Sequence, residues 1–199
     1  GTNSLLTLIM AGAMTILLGM GMPTPAAYAL AAALLAPTLT GELGFSVMQS
    51  HLFLLYFAVL SAMTPPVAVA AYAASAIADA NPIAIAATAC KFAVAAFLLP
   101  FAFMFAPGIL MLDTVPHILM DVASTTLAVV AISVAVEGFL RHHIGWPGRL
   151  ALFFGALALL GPGIDFVAVG LVLALIGAGL AYRDHRVPVA VVERERHIG

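Results

Sequence analysis

No Asp, Glu, Lys or Arg precedes Glu42, and Asp79 is the only such residue between Glu42 and Lys91. A stretch this poor in charge cannot cover a water-facing surface. The rest of the chain is little different: 8% of its 199 residues are charged, 64% are hydrophobic, and mean hydropathy is +1.16. Such a composition belongs to an integral membrane protein, with the lipid bilayer as its first partner. In hydrocarbon only helices and closed barrels satisfy their own backbone hydrogen bonds. The apolar runs are long, unalternating and rich in Ala, Leu and Val, without the period of two that a barrel strand needs, so an all-α, polytopic helical membrane fold is expected. A net charge of −2, with no basic groove and no aromatic interleaving, argues against nucleic acid as a partner. The one cysteine, Cys90, stands beside Lys91 in an apolar helix and reads as a small packing residue.

The apolar segments are 4–18, 26–39, 51–62, 67–78, 92–106, 115–140, 150–160 and 166–182. The opening "GTNSLLTLIMAGAMTILLGMG" has neither an initiator Met nor a basic n-region, so it does not resemble a signal peptide, and the expectation is a piece of a longer polypeptide. As one helix, residues 4–39 would run roughly 54 Å against a hydrocarbon core of about 30 Å. The run breaks at "GMGMPTP", where two glycines and two prolines lower helix propensity and remove backbone donors. Either the chain turns back there as a re-entrant hairpin, or it crosses as two tilted half-helices. Residues 51–78, roughly 42 Å if wholly helical, break at "SAMTPP" and suit one interrupted crossing. Pro65 and Pro66 donate no backbone hydrogen bond, and the carbonyls they free survive at membrane depth only when buried in protein or facing a water-filled cavity.

Basic residues give the orientation. With alternating crossings, Lys91, Arg141, Arg149, Arg183, Arg186, Arg194 and Arg196 all fall on one side, which the positive-inside rule makes cytoplasmic. The turns 106–113 and 161–165 carry no Lys or Arg and end in Asp. The C-terminus is then cytoplasmic, residues 40–50 are external, and a hairpin over 4–39 opens outward. Asp79 and Asn81 ahead of Pro82 signal a helix start. That helix either lies along the cytoplasmic face or leads into a spanning helix from which Lys91 snorkels.

The two breaks are alike. "MPTPAA" (22–27) and "MTPPVA" (63–68) share Met, a fourth-position Pro and a sixth-position Ala, and both precede small-residue helices containing "AAY". Paired Gly/Pro-interrupted segments are the sequence pointer to a secondary transporter's binding site, where half-helix N-termini face anionic groups and unwound carbonyls hold a cation. The hydroxyls of Thr24, Ser61 and Thr64, with carbonyls near Gly19, Gly21 and Ala62, offer hard oxygen ligands for an alkali cation. The bland alternative is a pair of packing kinks whose Ser and Thr bond their own helix backbone.

These residues carry a resemblance. "ILLGMGMPTPAAYALAAALLAPTL", "HLFLLYFAVLSAMTPPVAVAAYAASAIADANP" and "PFAFMFAPGILM" resemble the large membrane subunit of the TRAP (tripartite ATP-independent periplasmic) transporters, nearest to the fused permeases of the TAXI branch, over about residues 3–112. The resemblance implies the second inverted repeat of an elevator-type symporter in the bacterial inner membrane. Such a permease is driven by a cation gradient, usually sodium, and imports small organic acid anions delivered by a periplasmic solute-binding protein. It places the ion and substrate region at Gly19, Gly21, Met22, Pro23, Thr24, Ser61, Ala62, Thr64, Pro65 and Pro66, with Thr24, Ser61 and Thr64 as sodium ligands. The family has two such repeats; the other is expected from small-subunit or fused N-terminal permease segments.

The domain reading is therefore a transport core over 1–112 (hairpin 4–39, interrupted helix 51–78, cytoplasmic arm and membrane helix 81–106), accessory helices over 113–182, and a polar cytoplasmic tail over 183–199. Glu137 and Arg141 form an i,i+4 pair, and Asp121 is either a proton-linked site or an interfacial carboxylate. Gly155, Gly161, Gly170, Gly177 and Gly179 permit close helix packing. Enzymatic signals are weak. There is no phosphate-binding Gly-Lys loop, the histidines have no metal spacing, and Ser61 has no activating His or acid near it in sequence. No catalytic residue and no cofactor beyond sodium is expected. The alternatives are a non-transporting accessory or scaffold subunit and, further off, an intramembrane enzyme.

Overall fold

The computed structural model describes residues 3–139, 143–161 and 163–184. Among them are nine α-helices and no β-strand, in an all-helical, polytopic membrane fold. They are α1 Ser4–Gly19, α2 Thr24–Pro37 (continued by a π-helical turn, Thr38–Glu42), α3 Val47–Ser61, α4 Val69–Ala78, α5 Pro82–Phe92, α6 Val94–Phe105, α7 Val115–Glu137, α8 Trp146–Leu159 and α9 Ile164–Asp184. Only α7 and α9 are long and apolar enough to cross a bilayer unbroken. Tertiary contacts divide the chain into two compact units, 1–125 and 126–199.

In the first unit, α1 and α2 fold back on each other. End to end they would run about 45 Å, whereas α3 is about 22 Å long, yet both pack along it. Leu8 of α1 and Leu39 beyond α2 share one buried cluster with Phe53, Leu54 and Phe57 of α3. Of the two arrangements open to residues 4–39, the structure takes the helical hairpin. It approaches α3 closely at Gly12, where a Cβ would stand 2.9 Å from the Phe57 ring. Phe53, Phe57 and Phe101 of α6 meet edge to face, with ring centroids 4.9 to 5.9 Å apart.

Prolines leave carbonyls without donors, and side chains answer them. The Phe103 carbonyl would be served by the N–H of residue 107, which is a proline; the Met104 carbonyl would be served by Gly108, whose N–H goes instead to Asp121 Oδ2 at 3.0 Å. Gln49, buried in the first turn of α3, donates from Nε2 to both carbonyls, at 2.8 and 3.1 Å. Its Oε1 accepts from Ser46 N–H while Ser46 Oγ accepts from Gln49 N–H, a capping box that starts α3 at Val47, ahead of the expected residue 51. Asp121 is thereby a latch: a Cβ on Gly108 would fall 2.6 Å from its Oδ2.

After α3 the chain unwinds, re-enters helix as α4, and bends by 115° into α5. Asn81 caps α5 by accepting from Ile83 and Ala84 N–H, as its position before Pro82 predicts. The arm helix is thus distinct from α6, which begins beyond Ala93. In the second unit α8 and α9 pack antiparallel through glycines: Gly148 meets Gly177, and Gly155 meets Gly170. A Cβ on Gly155 would lie 2.8 Å from Ala174 N, and one on Gly170 2.7 Å from Leu159 N. Gly161 instead abuts the Phe166 ring, and Gly179 has no neighbour within 4 Å. Arg141 and the tail 185–199 lie outside the described residues, so the expected Glu137–Arg141 pair does too.

Candidate functional site

The first break forms because α1 ends at Gly19 and α2 restarts at Thr24, with Pro23 at the N-cap and Pro25 in the first turn. Between them Met20 is extended, Gly21 takes φ +79°, and Met22 N–H returns to the Gly19 carbonyl at 3.3 Å. The left-handed backbone at 21 favours glycine.

The second break is longer. α3 ends at Ser61, residues 62–68 are irregular, and Pro65–Pro66 is a cis peptide. Most of its carbonyls are answered: Leu60 by Thr64 Oγ1 (2.8 Å), Ser61 by Thr64 N–H (3.2 Å), Ala62 by Ala70 N–H (3.0 Å), Met63 by the Cys90 thiol (3.6 Å) and Thr64 by Ala68 N–H (3.2 Å). Ala68, fully buried, is held left-handed at φ 34°, a strain of about 1–2 kcal/mol for a residue with a Cβ. Among the described residues, the carbonyls of Gly21, Met22, Pro65 and Pro66 accept no backbone hydrogen bond.

The two breaks touch. A Cβ on Gly19 would collide with Ser61 Oγ and stand 2.8 Å from Ser61 Cβ, and one on Gly21 would be 3.5 Å from Val67 Cγ1. Gly19 and Ser61 are buried, while Gly21, Pro23 and Pro66 are exposed and Met22, Thr24, Ala62, Thr64 and Pro65 are half-buried. Ser61 Oγ donates to the Ala58 carbonyl at 2.7 Å, and Thr64 Oγ1 to Leu60, so both hydroxyls bond their own helix while keeping oxygen lone pairs. Thr24 Oγ1 makes no hydrogen bond among the described residues and is not joined to Ser61 or Thr64. The starts of α2 and α4 have no side-chain cap and no acidic residue in the first turn, unlike the capped starts of α3 and α5. The hairpin is tied to α3 a second time by Tyr28 Oη and His51 Nδ1, 2.8 Å apart.

Two contributors escaped the sequence reading. Gln49 carried a signal in the S-x-x-Q spacing of Ser46 and Gln49; Cys90 carried none, because its partner is the main chain of a distant segment.

A family model described as "Tripartite ATP-independent periplasmic transporter, DctM component" matches residues 1–118, which take in both breaks and α1–α6. No curated protein and no solved structure matches the chain.

Proposed function

The chain belongs to the DctM component family of the tripartite ATP-independent periplasmic transporters, and from that premise we propose that it is the permease part of a sodium-driven symporter importing small organic acid anions. A periplasmic binding protein delivers the anion. The observation that carries the reading is the contact of Gly19 with Ser61, which sets one unwound segment against the other. Unpaired carbonyls at Gly21, Met22, Pro65 and Pro66 and the lone pairs of Thr24, Ser61 and Thr64 are oxygen ligands of the kind unwound transporter helices present to sodium. The uncapped N-termini of α2 and α4 leave the Thr24 and Val69 N–H groups and a positive dipole end for a carboxylate.

In this reading sodium and anion neutralise each other between the breaks, and the loaded element then slides past a static scaffold. Ion and anion favour the same occupied state, so each raises the other's affinity. The permease is of the fused TAXI type in the bacterial inner membrane, with Lys91, Arg149 and the C-terminus cytoplasmic. Residues 1–112 act as the second repeat of the transport core, and 113–182 as accessory helices. The other repeat comes from small-subunit or fused N-terminal segments.

The test is uptake of labelled mono- and dicarboxylates by proteoliposomes holding the full-length permease and its binding protein. Thr64→Val and Ser61→Ala should lose sodium-dependent uptake while inserting normally. The hydroxyl bonds to Ala58 and Leu60 favour a second reading, in which both breaks are packing kinks of a scaffold subunit. Unchanged uptake in both variants would establish it.

A further inference from the structure

α5 reaches the start of the second break through the side chain of Cys90. In a continuous helix the Met63 carbonyl would be served by the N–H of Val67, but the chain unwinds at Pro65 and Pro66, and that N–H does not return. The Cys90 thiol stands in its place, with Sγ 3.6 Å from the Met63 oxygen. Four residues earlier on the same helix face, Ala86 is fully buried in a cluster with Ala68 and Ala71, the residues on which α4 restarts. α5 therefore braces both ends of the unwound segment, at Met63 and at Ala68.

We propose that Cys90 is a positioning residue of the cation site: by holding the Met63 carbonyl, it sets the direction in which the unpaired carbonyls of Pro65 and Pro66 point. The role rests on the sodium reading above. A thiol is a weak donor, so the brace yields when the segment must rearrange and re-forms when an ion orders it. Alanine removes the donor, and serine restores a stronger one.

The measurement is the melting temperature of the full-length permease titrated with sodium chloride against potassium chloride, together with the rate at which N-ethylmaleimide alkylates Cys90, followed by mass of the peptide that contains it. Cys90→Ala should raise the sodium concentration for half-maximal stabilisation about fivefold, as expected for loss of one weak hydrogen bond from the bound state. Cys90→Ser should stay close to the native value. Alkylation of the native thiol should be several-fold slower in sodium than in potassium, a protection that a residue serving only to fill space would not show. Equal half-saturation for Cys90→Ala and the native protein, with alkylation indifferent to the cation, would overturn the positioning role and leave the transport reading intact. A native protein whose melting temperature ignores sodium would overturn that reading and the positioning role with it. If Cys90→Ala does not fold, the alkylation rates decide alone.

Discussion

At the residue scale, Gly19 and Gly21 are glycines for different reasons, and substitution separates them. Gly19 has ordinary helical surroundings, but Ser61 fills the space a side chain would need, and Ser61 is fixed by burial and by its bond to Ala58. Gly19→Ala should destabilise the permease by about 1–3 kcal/mol, the range for overpacking, and abolish uptake. Ser61→Ala should not rescue it, because Ser61 Cβ is itself 2.8 Å from the new methyl group. Ser61→Gly should recover part of the stability in the double variant, a coupling that thermal melts of the four proteins would measure. Gly21 has room, and only its φ of +79° resists a side chain, so Gly21→Ala should cost about 1 kcal/mol. The sequence displayed both glycines next to prolines and so marked the breaks. It could not show that one is crowded and the other twisted, since that depends on which distant residue arrives.

At the element scale, helix ends explain most of what was legible and what was not. Asn81 before Pro82 is a local signal for a local bond, and α5 starts there. The ends of α6 and α7 are closed from afar. Gln49 serves two α6 carbonyls from the start of α3, while Arg149 of α8 donates from Nε to Ala135 and from Nη2 to Val136, the last carbonyls of α7, at 2.8 and 3.0 Å. No spacing rule reaches across 54 residues, although Pro107 announced that a carbonyl would need help. Gln49→Glu removes the two donors and sets a carboxylate against two carbonyl oxygens, so it should destabilise more than Gln49→Met, which should itself cost about 2–4 kcal/mol for two unanswered carbonyls and a lost cap. Arg149→Ala should cost about 1–3 kcal/mol, with Arg149→Lys recovering only part because an ammonium cannot fork to both oxygens. For a chain of this size each kcal/mol moves the melting temperature by about 2–4 °C, which differential scanning of purified variants resolves.

At the scale of the whole molecule, composition settled the solvent and helix class, and long apolar runs located the helices. The point where the transport core ends is harder to read. The resemblance ends near residue 112, but α7 runs on without interruption from Val115 to Glu137, and its first turns belong to the first unit, where Asp121 holds Gly108 N–H and Ser124 closes on the Asp121 carbonyl. The family match likewise runs to 118. A permease cut after Leu112 loses the Asp121 partner of the Gly108 N–H, a deficit of about 1–3 kcal/mol, whereas a cut after Glu137 keeps that bond and removes only residues of the second unit. The protein cut after Glu137 should therefore insert, respond to sodium as the intact protein does and melt lower only by the loss of the Arg149 bonds to Ala135 and Val136, while the one cut after Leu112 should melt lower still. Asp121→Asn, which can still accept from Gly108, should behave like the longer truncation's parent, and Asp121→Leu should reproduce much of the shorter truncation's loss. Equal melting of the two truncations would mean that α7 contributes nothing to the first unit and that Asp121 is free for a proton-linked role instead.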